Sequence, residues 1–256
     1  TLTKLIEGKR VSFSAFAEEE FNFDHKHRSG AAIFNPLKDY LKLSNIIKTH
    51  DVSIIYLHSG VEYTNYPFKT QMEWVNYLCD LGFDAIVCSH SHMPGITRRY
   101  NNSVACYSLG NSFFEGSLSG CNSSFALKIQ VLFCGDDKHI DFEIVPFNAD
   151  MENRRLKKLL EREKEEFLFK YGAMIECFDD ESYKKIRDDQ IKKYQNFHLL
   201  SIAGGFAVNS KRRLLNVLGL QLEYASKKKL RLRNYLNTPG LRDLLLTYLD
   251  KDSTGD

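Results

Sequence analysis

Three histidines follow apolar segments in the first half of the chain, and their positions suit metal chemistry. His58 ends the apolar run that starts at Asp51, and His90 and His92 form a His-x-His pair after the run that starts at Phe83. Neutral imidazole is a common ligand for Zn, Mn and Fe. A single histidine is more often a hydrogen-bonded core or surface residue. Three histidines at the ends of neighbouring strands instead predict a metal site.

Three other polar residues near these histidines are candidates for catalysis or substrate binding. Glu62 follows His58 closely, and a carboxylate there can orient an imidazole ring or transfer a proton, which makes Glu62 the candidate catalytic residue. Asn111 ends a small-residue segment and Arg98 lies in a predicted loop, so both are candidates for substrate binding. An asparagine in a turn and a solvated arginine explain these two positions equally well.

The order of predicted elements around these residues favours an α/β fold. Asn35 is a suitable helix cap with Pro36 in the first turn. The apolar stripe of this helix comprises Leu37, Leu41, Leu43, Ile46 and Ile47. Alternation of strand and helix is typical of βαβ crossovers and a parallel sheet, in which ligands collect where strands end. The predicted elements are a strand at 9–17, a helix at 36–50, a strand ending at 58, a helix at 67–81, and strands at 83–88 and 104–109.

Two later segments predict an antiparallel pair of strands. Residues 124–133 and 139–146 alternate apolar and polar side chains, and a turn at 135–137 would join them as a hairpin. The predicted fold class is therefore α/β (an α+β sandwich), with mixed β-sheets flanked by helices.

The character of the chain changes after residue 150. Residues 1–150 carry 13 basic against 17 acidic side chains, whereas residues 151–256 carry 22 against 16. This change predicts two domains, 1–150 and 151–256, of which the second is a basic and mainly helical appendage. Its predicted helices span 150–171, 181–196 and 211–248.

The overall composition is that of an ordinary globular protein. Of 256 residues, 43% are hydrophobic and 27% charged, and no run approaches the roughly 18 apolar residues of a membrane span. We expect a cytoplasmic or membrane-peripheral location, with membrane association only through partners or a preceding segment. Four cysteines fall in apolar stretches, which predicts buried free thiols in a reducing compartment. These are Cys79, Cys88, Cys106 and Cys134.

Three ordered motifs resemble the CapA family of capsule and poly-γ-glutamate biosynthesis proteins, in the calcineurin-like metallophosphoesterase superfamily. The motifs are His58-Ser-Gly-Val-Glu62-Tyr63, the segment from Gly82 through His90-Ser-His92 to Gly95, and Tyr107-Ser-Leu-Gly-Asn111-Ser-Phe113. The family patterns are His-Trp-Gly-x-Glu-Tyr, Gly-x-His-Pro-His and Tyr-Ser-Leu-Gly-Asn-Phe. Their order and spacing agree over roughly residues 8–148.

The resemblance implies a metallophosphoesterase-like sandwich in which His58, His90 and His92 bind metal. In that superfamily the corresponding histidines belong to a dinuclear centre of Mn, Fe or Zn. A centre of this kind polarises a phosphoryl or acyl oxygen and activates water as a nucleophile. The implied protein is a metal-dependent hydrolase in capsular polysaccharide or poly-γ-glutamate biosynthesis.

This sequence departs from the family pattern at several positions. Ser59 replaces Trp, Cys88 replaces Gly, Ser91 replaces Pro and Ser112 replaces Phe, but none of these changes removes a histidine. The superfamily's remaining ligands, early aspartates and an Asn-His pair, have no counterpart in this sequence. Either those ligands precede it or the site holds only part of the set, and a mononuclear three-histidine site would still be chemically reasonable.

Two further interpretations follow from the incomplete ligand set and the basic second half. One is a non-catalytic binding or assembly subunit of a polymer synthesis or export machine. The other is a phosphodiesterase that binds nucleic acid through the basic stretch 211–233, although a solvated face of a helical appendage is the preferred interpretation of that stretch. We expect an anionic polymer, a glycan or a phosphoester as substrate, and no specific nucleic acid.

Overall fold

A six-stranded mixed sheet forms the centre of the molecule, with strand order β1-β2-β3-β4-β6-β5. The computed structural model describes residues 1–19, 29–112, 123–135, 137–150, 153, 155–179, 181–193, 238–244 and 246. In this sheet β2, β3, β4 and β6 are parallel, while β1 and β5 pair antiparallel at the two edges. The strands are β1 (Leu2–Ile6), β2 (Lys9–Ala17), β3 (Val52–His58), β4 (Ala85–Ser89), β5 (Thr97–Tyr100) and β6 (Ser103–Cys106).

Two helices connect the parallel strands, which confirms the predicted βαβ crossovers. Helix α1 (Pro36–Thr49) begins at the cap Asn35, whose side chain accepts a hydrogen bond from the backbone N–H of Lys38. Helix α2 (Lys69–Leu81) ends at Gly82, which adopts the left-handed conformation that glycine favours. The sequence analysis missed the edge strands β1 and β5, because neither contributes a long apolar run.

The central strands bury alternate residues against two different layers. Ile86 and Cys88 of β4 pack in the cluster that contains the buried residues of α1 and α2. Ala85 packs instead against the second sheet through Ile140 and its neighbours. The fold is therefore a mixed sheet with helices on one face and a second sheet on the other, and the predicted α/β class is correct.

The second sheet is an antiparallel meander of order β7-β8-β9. The predicted hairpin is confirmed, since Cys134 pairs with Asp137 across the turn. Gly135 adopts a positive φ of 64° there. The strands are β7 (Ser123–Cys134), β8 (Asp137–Asp150) and β9 (Arg155–Lys158).

The predicted helix at 150–171 is wrong in its first part. Residues up to Asp150 continue β8, and β9 pairs back onto β8. The Asp150 carboxylate accepts a hydrogen bond from the backbone N–H of Asn153 and forms an ion pair with Lys157, which stabilises the intervening turn. Helix α3 (Glu161–Asp179) begins only after this strand, and α4 (Tyr183–Lys193) agrees with the predicted second helix.

Helix α3 packs against the sheets, and α4 packs on the main core cluster through Tyr183. Tyr171 of α3 packs with Val87, Cys106 and Phe125, and its hydroxyl donates to the carbonyl of Gly95. Phe178 joins the main core cluster. The division of the chain into domains at residue 150 stays a prediction. The basic stretch 211–233 and most of the predicted helix 211–248 lie outside the described residues.

Two smaller expectations about burial are wrong. Leu37 and Leu41 are 91% and 79% exposed, so of the predicted stripe on α1 these two residues do not face inward, whereas Leu43 and Ile46 are buried as expected. Cys134 is exposed, although Cys79, Cys88 and Cys106 are buried free thiols as expected. No helix within the described ranges has the length and apolar character needed to cross a membrane.

Candidate metal centre

The histidines meet at the carboxyl ends of three neighbouring parallel strands. Strand register places Ala17 beside His58 and His58 beside Ser89, so the loops that follow β2, β3 and β4 leave the sheet at one edge. His58 is the last residue of β3, while His90 and His92 lie in the turn after β4. The structure thus brings together the three side chains that the sequence analysis selected.

His58 and His90 form a close imidazole pair. His58 Nε2 lies 3.0 Å from His90 Nδ1, and the ring centroids are 4.7 Å apart in an edge-to-face arrangement. The other nitrogen of His58, Nδ1, lies 3.2 Å from the hydroxyl of Ser89. That hydroxyl accepts a hydrogen bond from Tyr56. The Tyr56–Ser89 contact therefore orients the His58 ring from the side away from His90.

His92 is held separately by two side chains that the sequence analysis also selected. Its Nδ1 lies 2.7 Å from Asn111 Oδ1, and its Nε2 lies 3.6 Å from Glu62 Oε1. The Tyr63 ring packs beside it at 5.8 Å between centroids. The His90 and His92 centroids are 6.3 Å apart, so His92 borders the close pair without joining it.

The backbone around the histidines is strained. His90, His92 and Tyr63 have φ angles of 126°, 61° and 63°, which non-glycine residues rarely adopt. Such conformations cost roughly 1–3 kcal/mol each and persist only where the surrounding structure fixes them. Three of them in two touching loops mark this edge of the sheet as a candidate functional site.

Buried hydrogen bonds fix the loop after β3. The N–H of Ser59 donates to the carbonyl of Ser89, and the N–H of Tyr63 donates to the carbonyl of Ser91. The buried Gln71 of α2 donates from Nε2 to the carbonyls of Ser59 and Tyr107. The loops after β3, β4 and β6 are therefore joined to one another and to α2.

Arg98, the second candidate for substrate binding, lies elsewhere. Its guanidinium stacks on the rings of Phe178 and Tyr100, at 5.0 and 5.6 Å from the centroids. It lies near Tyr107, whose pKa is raised to about 12 mainly by burial. Among the described residues Arg98 thus contacts the aromatic core beneath α3, and the structure does not bring it to the histidines.

Glu18 was not predicted as a site residue, because it was assigned to a polar loop. Glu18 is 2% exposed and follows β2 directly, so it lies at the same edge of the sheet as His58. Its N–H donates to the carbonyl of His58, and its Oε1 accepts from the N–H of Gly60 at 2.8 Å. Its position after an apolar strand was the available signal, but the three consecutive glutamates indicated a solvated segment.

The donor chemistry of the close pair fits a divalent metal in part. The pair offers two imidazole nitrogens, His58 Nε2 and His90 Nδ1, 3.0 Å apart, and imidazole nitrogen is a common ligand for divalent metals. Both nitrogens can offer lone pairs once no proton lies between them. Within the described ranges, however, no set of three or more His, Cys, Asp or Glu side chains converges as a metal site.

The architecture defines the class of protein: an α/β sandwich of the metallophosphoesterase-like kind, with histidines at the carboxyl edge of its parallel strands. Residues 2–115 match the family model for the bacterial capsule synthesis protein PGA_cap. The match ends just after Asn111. It therefore includes the loops that carry His58, the His90–His92 pair and Asn111, and it excludes α3 and α4.

Two curated relatives are similar over the same region. The chain is 29% identical over 106 residues to the PGA biosynthesis protein CapA of Bacillus subtilis (strain 168), which covers 41% of this chain and 27% of that protein. It is 28% identical over 127 residues to the capsule biosynthesis protein CapA of Bacillus anthracis, covering 48% of this chain and 30% of that protein. The matched region thus spans less than a third of the length of either relative.

Proposed function

We propose that this chain carries part of the metal centre of a CapA-like hydrolase that acts in capsular polysaccharide or poly-γ-glutamate biosynthesis. The observation that carries the proposal is the His58–His90 pair, with ring nitrogens 3.0 Å apart at the ends of adjacent parallel strands. The match of residues 2–115 to the PGA_cap family model, and the similarity to two CapA proteins, support the biological role. The reaction class is phosphoester cleavage, or hydrolysis of an amide or glycan linkage, in an anionic polymer, a glycan or a phosphoester.

His58 and His90 would hold the metal, a Mn, Fe or Zn ion, with His92 contributing at a second position of a dinuclear centre. When bound, the metal supplies Lewis-acid activation of a phosphoryl or acyl oxygen and of water. Ser89 orients the His58 ring, because its hydroxyl contacts Nδ1 and leaves Nε2 directed at His90.

Glu62 and Asn111 have distinct roles in this proposal. Asn111 Oδ1 accepts a hydrogen bond from His92 Nδ1 and so fixes the ring, which makes it a positioning residue. The Glu62 carboxylate, 3.6 Å from His92 Nε2, is close enough to take or return a proton at the edge of the site. Arg98 is not part of the proposed centre, since its guanidinium packs on Phe178.

Metal content and turnover of the purified chain test the proposal. After loading with Mn²⁺ or Zn²⁺ and gel filtration, wild-type protein should retain metal. His90→Ala removes a proposed ligand and should lower the affinity for the metal by more than the roughly 10–100-fold that loss of a supporting residue costs. Hydrolysis of an aryl phosphate in the presence of Mn²⁺ should be lost in His92→Ala. His139→Ala, a change on the exposed part of β8, is the matched control and should behave as wild type. Equal metal retention in wild type and His90→Ala would sink the proposal.

A second function, a non-catalytic binding or assembly subunit, is favoured by one observation. Both ring nitrogens of His92 already have protein partners, Asn111 and Glu62, as expected of a histidine that stabilises a loop. This alternative predicts that poly-γ-glutamate or a capsular glycan binds equally to wild type and His90→Ala, with no turnover by either.

A further inference from the structure

A distant segment of the chain packs directly on the histidine-bearing loop. Residues 238–244, which we call the clasp, lie outside the region that matches the family. The hydroxyl of Thr238 donates to the carbonyl of Glu19, and the side chain of Leu244 is fully buried against Val61 and Phe68. The clasp therefore covers the end of β2 and the loop after β3, where His58 and Glu62 are located.

The buried carboxylate of Glu18 connects the clasp to the loop. Its Oε1 accepts from the N–H of Gly60 at 2.8 Å, and its Oε2 accepts from the N–H of Gly240 at 3.2 Å. A buried carboxylate is costly unless its oxygens are hydrogen-bonded, so these donors and Glu18 depend on one another. Removing the clasp donor would remove the hydrogen bond from Gly240 to Glu18 Oε2.

Gly240 approaches the loop backbone too closely for any other residue. A Cβ atom at this position would lie 2.8 Å from the carbonyl oxygen of Gly60, closer than real Cβ contacts. Gly60 itself has a φ of 137° and follows His58 by two residues. Any displacement at Gly240 would therefore reach the strained loop that carries the histidine.

A third contact joins the clasp to α2. Asp243 accepts from the N–H of Thr70 at 2.8 Å and from its hydroxyl at 3.0 Å. The cap residue of α2, Phe68, provides no side-chain hydrogen bond of its own. A carboxylate at a helix N-terminus satisfies exposed N–H groups and interacts favourably with the helix dipole. The clasp thus caps the N-terminus of α2, the same helix whose Gln71 hydrogen-bonds the loop after β3.

We infer that the clasp is a component of the histidine site, and that Glu18 and Gly240 are positioning residues for His58 and Glu62. The contacts that fix the loop come from both sides: Ser89 and Ser91 on the sheet side, and Glu18 with the clasp on the other. The inference rests on the proposed function only where it concerns metal affinity, because the effect on the imidazoles exists without metal.

Histidine side-chain NMR of the full chain without added metal tests the inference. Imidazole signals are assigned from His→Gln variants, and Gly240→Ala is compared with Gly172→Ala, a helical position where a Cβ meets nothing within 4 Å. Gly240→Ala should move or broaden the signals of His58, His90 and His92 and leave His139 unchanged. Gly172→Ala should move none of them. A lowered melting temperature in Gly240→Ala with all three signals at wild-type positions would overturn the inference.

A second variant covers the case in which Gly240→Ala does not fold. Glu18→Gln keeps the size of the side chain but presents an amide donor to one of the two N–H groups. It should shift the same three imidazole signals, whereas Glu176→Gln on the exposed face of α3 should not. Unchanged signals in a folded Glu18→Gln protein would contradict the inference in the same way.

Mn²⁺ titration separates this inference from the proposed function. Glu18→Gln should bind Mn²⁺ about tenfold more weakly than wild type, as expected for loss of a supporting contact. If the imidazole signals shift in Glu18→Gln but neither wild type nor the variants bind Mn²⁺, the proposed hydrolase is rejected and the inference about the clasp stands. If wild type and Glu18→Gln bind Mn²⁺ with equal affinity and the imidazole signals do not move, the inference about the clasp is rejected and the proposed hydrolase stands.

Discussion

The six-stranded sheet and the β7–β9 meander differ in how many of their faces are covered. In β4 four of five residues are buried and in β6 all four are, because both faces of these strands pack against other layers. Strand β8 has exposed or half-exposed residues at most positions. The meander covers one face of the larger sheet and leaves its own outer face to solvent. Only the larger sheet can therefore fix the ends of its strands from all sides.

This difference explains why the strained loops occur where they do. A strained conformation such as the φ of 126° at His90 persists only where contacts with the surrounding structure stabilise the backbone by more than the strain costs. The loops after β3 and β4 have such surroundings in Gln71, Glu18 and each other. The turn of the meander has Gly135, which adopts a positive φ without strain.

The largest expected difference between the two regions is in thiol reactivity. Burial raises the pKa of Cys106 to about 12 and raises that of Cys88 well above its usual value, whereas Cys134 of β7 is exposed. Buried thiols react only in opened molecules, which are roughly a thousandth or less of the population. Iodoacetamide at neutral pH should therefore modify Cys134 at least about 1,000-fold faster, as read by peptide mass spectrometry. Comparable rates at Cys88 and Cys134 would contradict the burial difference.

A matched pair of leucines measures the same contrast in stability. Leu57 of β3 is fully buried and precedes His58, while Leu132 of β7 is 59% exposed. Leu57→Ala should lower the free energy of unfolding by about 2–5 kcal/mol, because it removes packed methyl groups and leaves a cavity. Leu132→Ala should change it by no more than about 0.5 kcal/mol. Urea unfolding followed by circular dichroism gives both values, and similar losses would show that the meander is packed as tightly as the central sheet.

A pair of aspartates tests the contact between the two regions. Asp84 is buried at the start of β4, where it accepts from the N–H of Ser53 at 2.7 Å and pairs with Lys138 of β8 at 2.6 Å. Asp84→Ala should cost about 1–3 kcal/mol, since it leaves a buried N–H without its acceptor. Asp141→Ala, which breaks an exposed pair with Arg99, should cost about 0.2–1 kcal/mol. Equal costs in chemical denaturation would show that burial at Asp84 does not matter.

The smallest expected effect is the acid sensitivity of the turn before β9. A hydrogen bond from Lys157, together with those from Asn153, holds the pKa of Asp150 well below its usual range. Because the folded-state pKa is the lower one, the stabilisation is complete above about pH 4 and is lost as pH falls further. Asp150→Asn should therefore lower the melting temperature slightly at pH 7 and progressively less below pH 4. Lys157→Gln should remove most of this pH dependence. If the melting temperatures of wild type and Asp150→Asn differ as much at pH 3 as at pH 7, the Asp150 carboxylate is not the source of the acid sensitivity.

Apolar runs in the sequence were sufficient to predict the histidines that lie at the ends of β-strands. The runs ending at His58 and His90 fixed two neighbouring strands, and parallel strands necessarily present their carboxyl ends at one edge. Asn111 was selected only as a candidate for substrate binding, and the structure places it beside His92. The role of these residues as metal ligands stays a prediction, whereas their proximity is an observed property of the fold.

Contacts that depend on distant sequence could not be predicted in this way. Glu18 and Gly240 are 222 residues apart, and no periodicity near either residue indicates the other. The β9 strand was predicted as part of a charged helix because Leu156 fitted an apolar face together with later residues, but pairing with β8 determined its conformation. Arg98 was assigned to a loop because the short strand β5 contains no apolar run.

The clasp also sets a time at which the site can be completed during synthesis. The contacts Thr70–Asp243 and Glu18–Gly240 join residues separated by 173 and 222 positions. At about 5–20 residues per second, a ribosome needs roughly 10–40 s to make the chain between them. For that interval the nascent sheet carries its histidine loops without their outer support. The strand ends can assemble early, but the loop around Gly60 reaches its final hydrogen bonding only after residue 244 has left the ribosome.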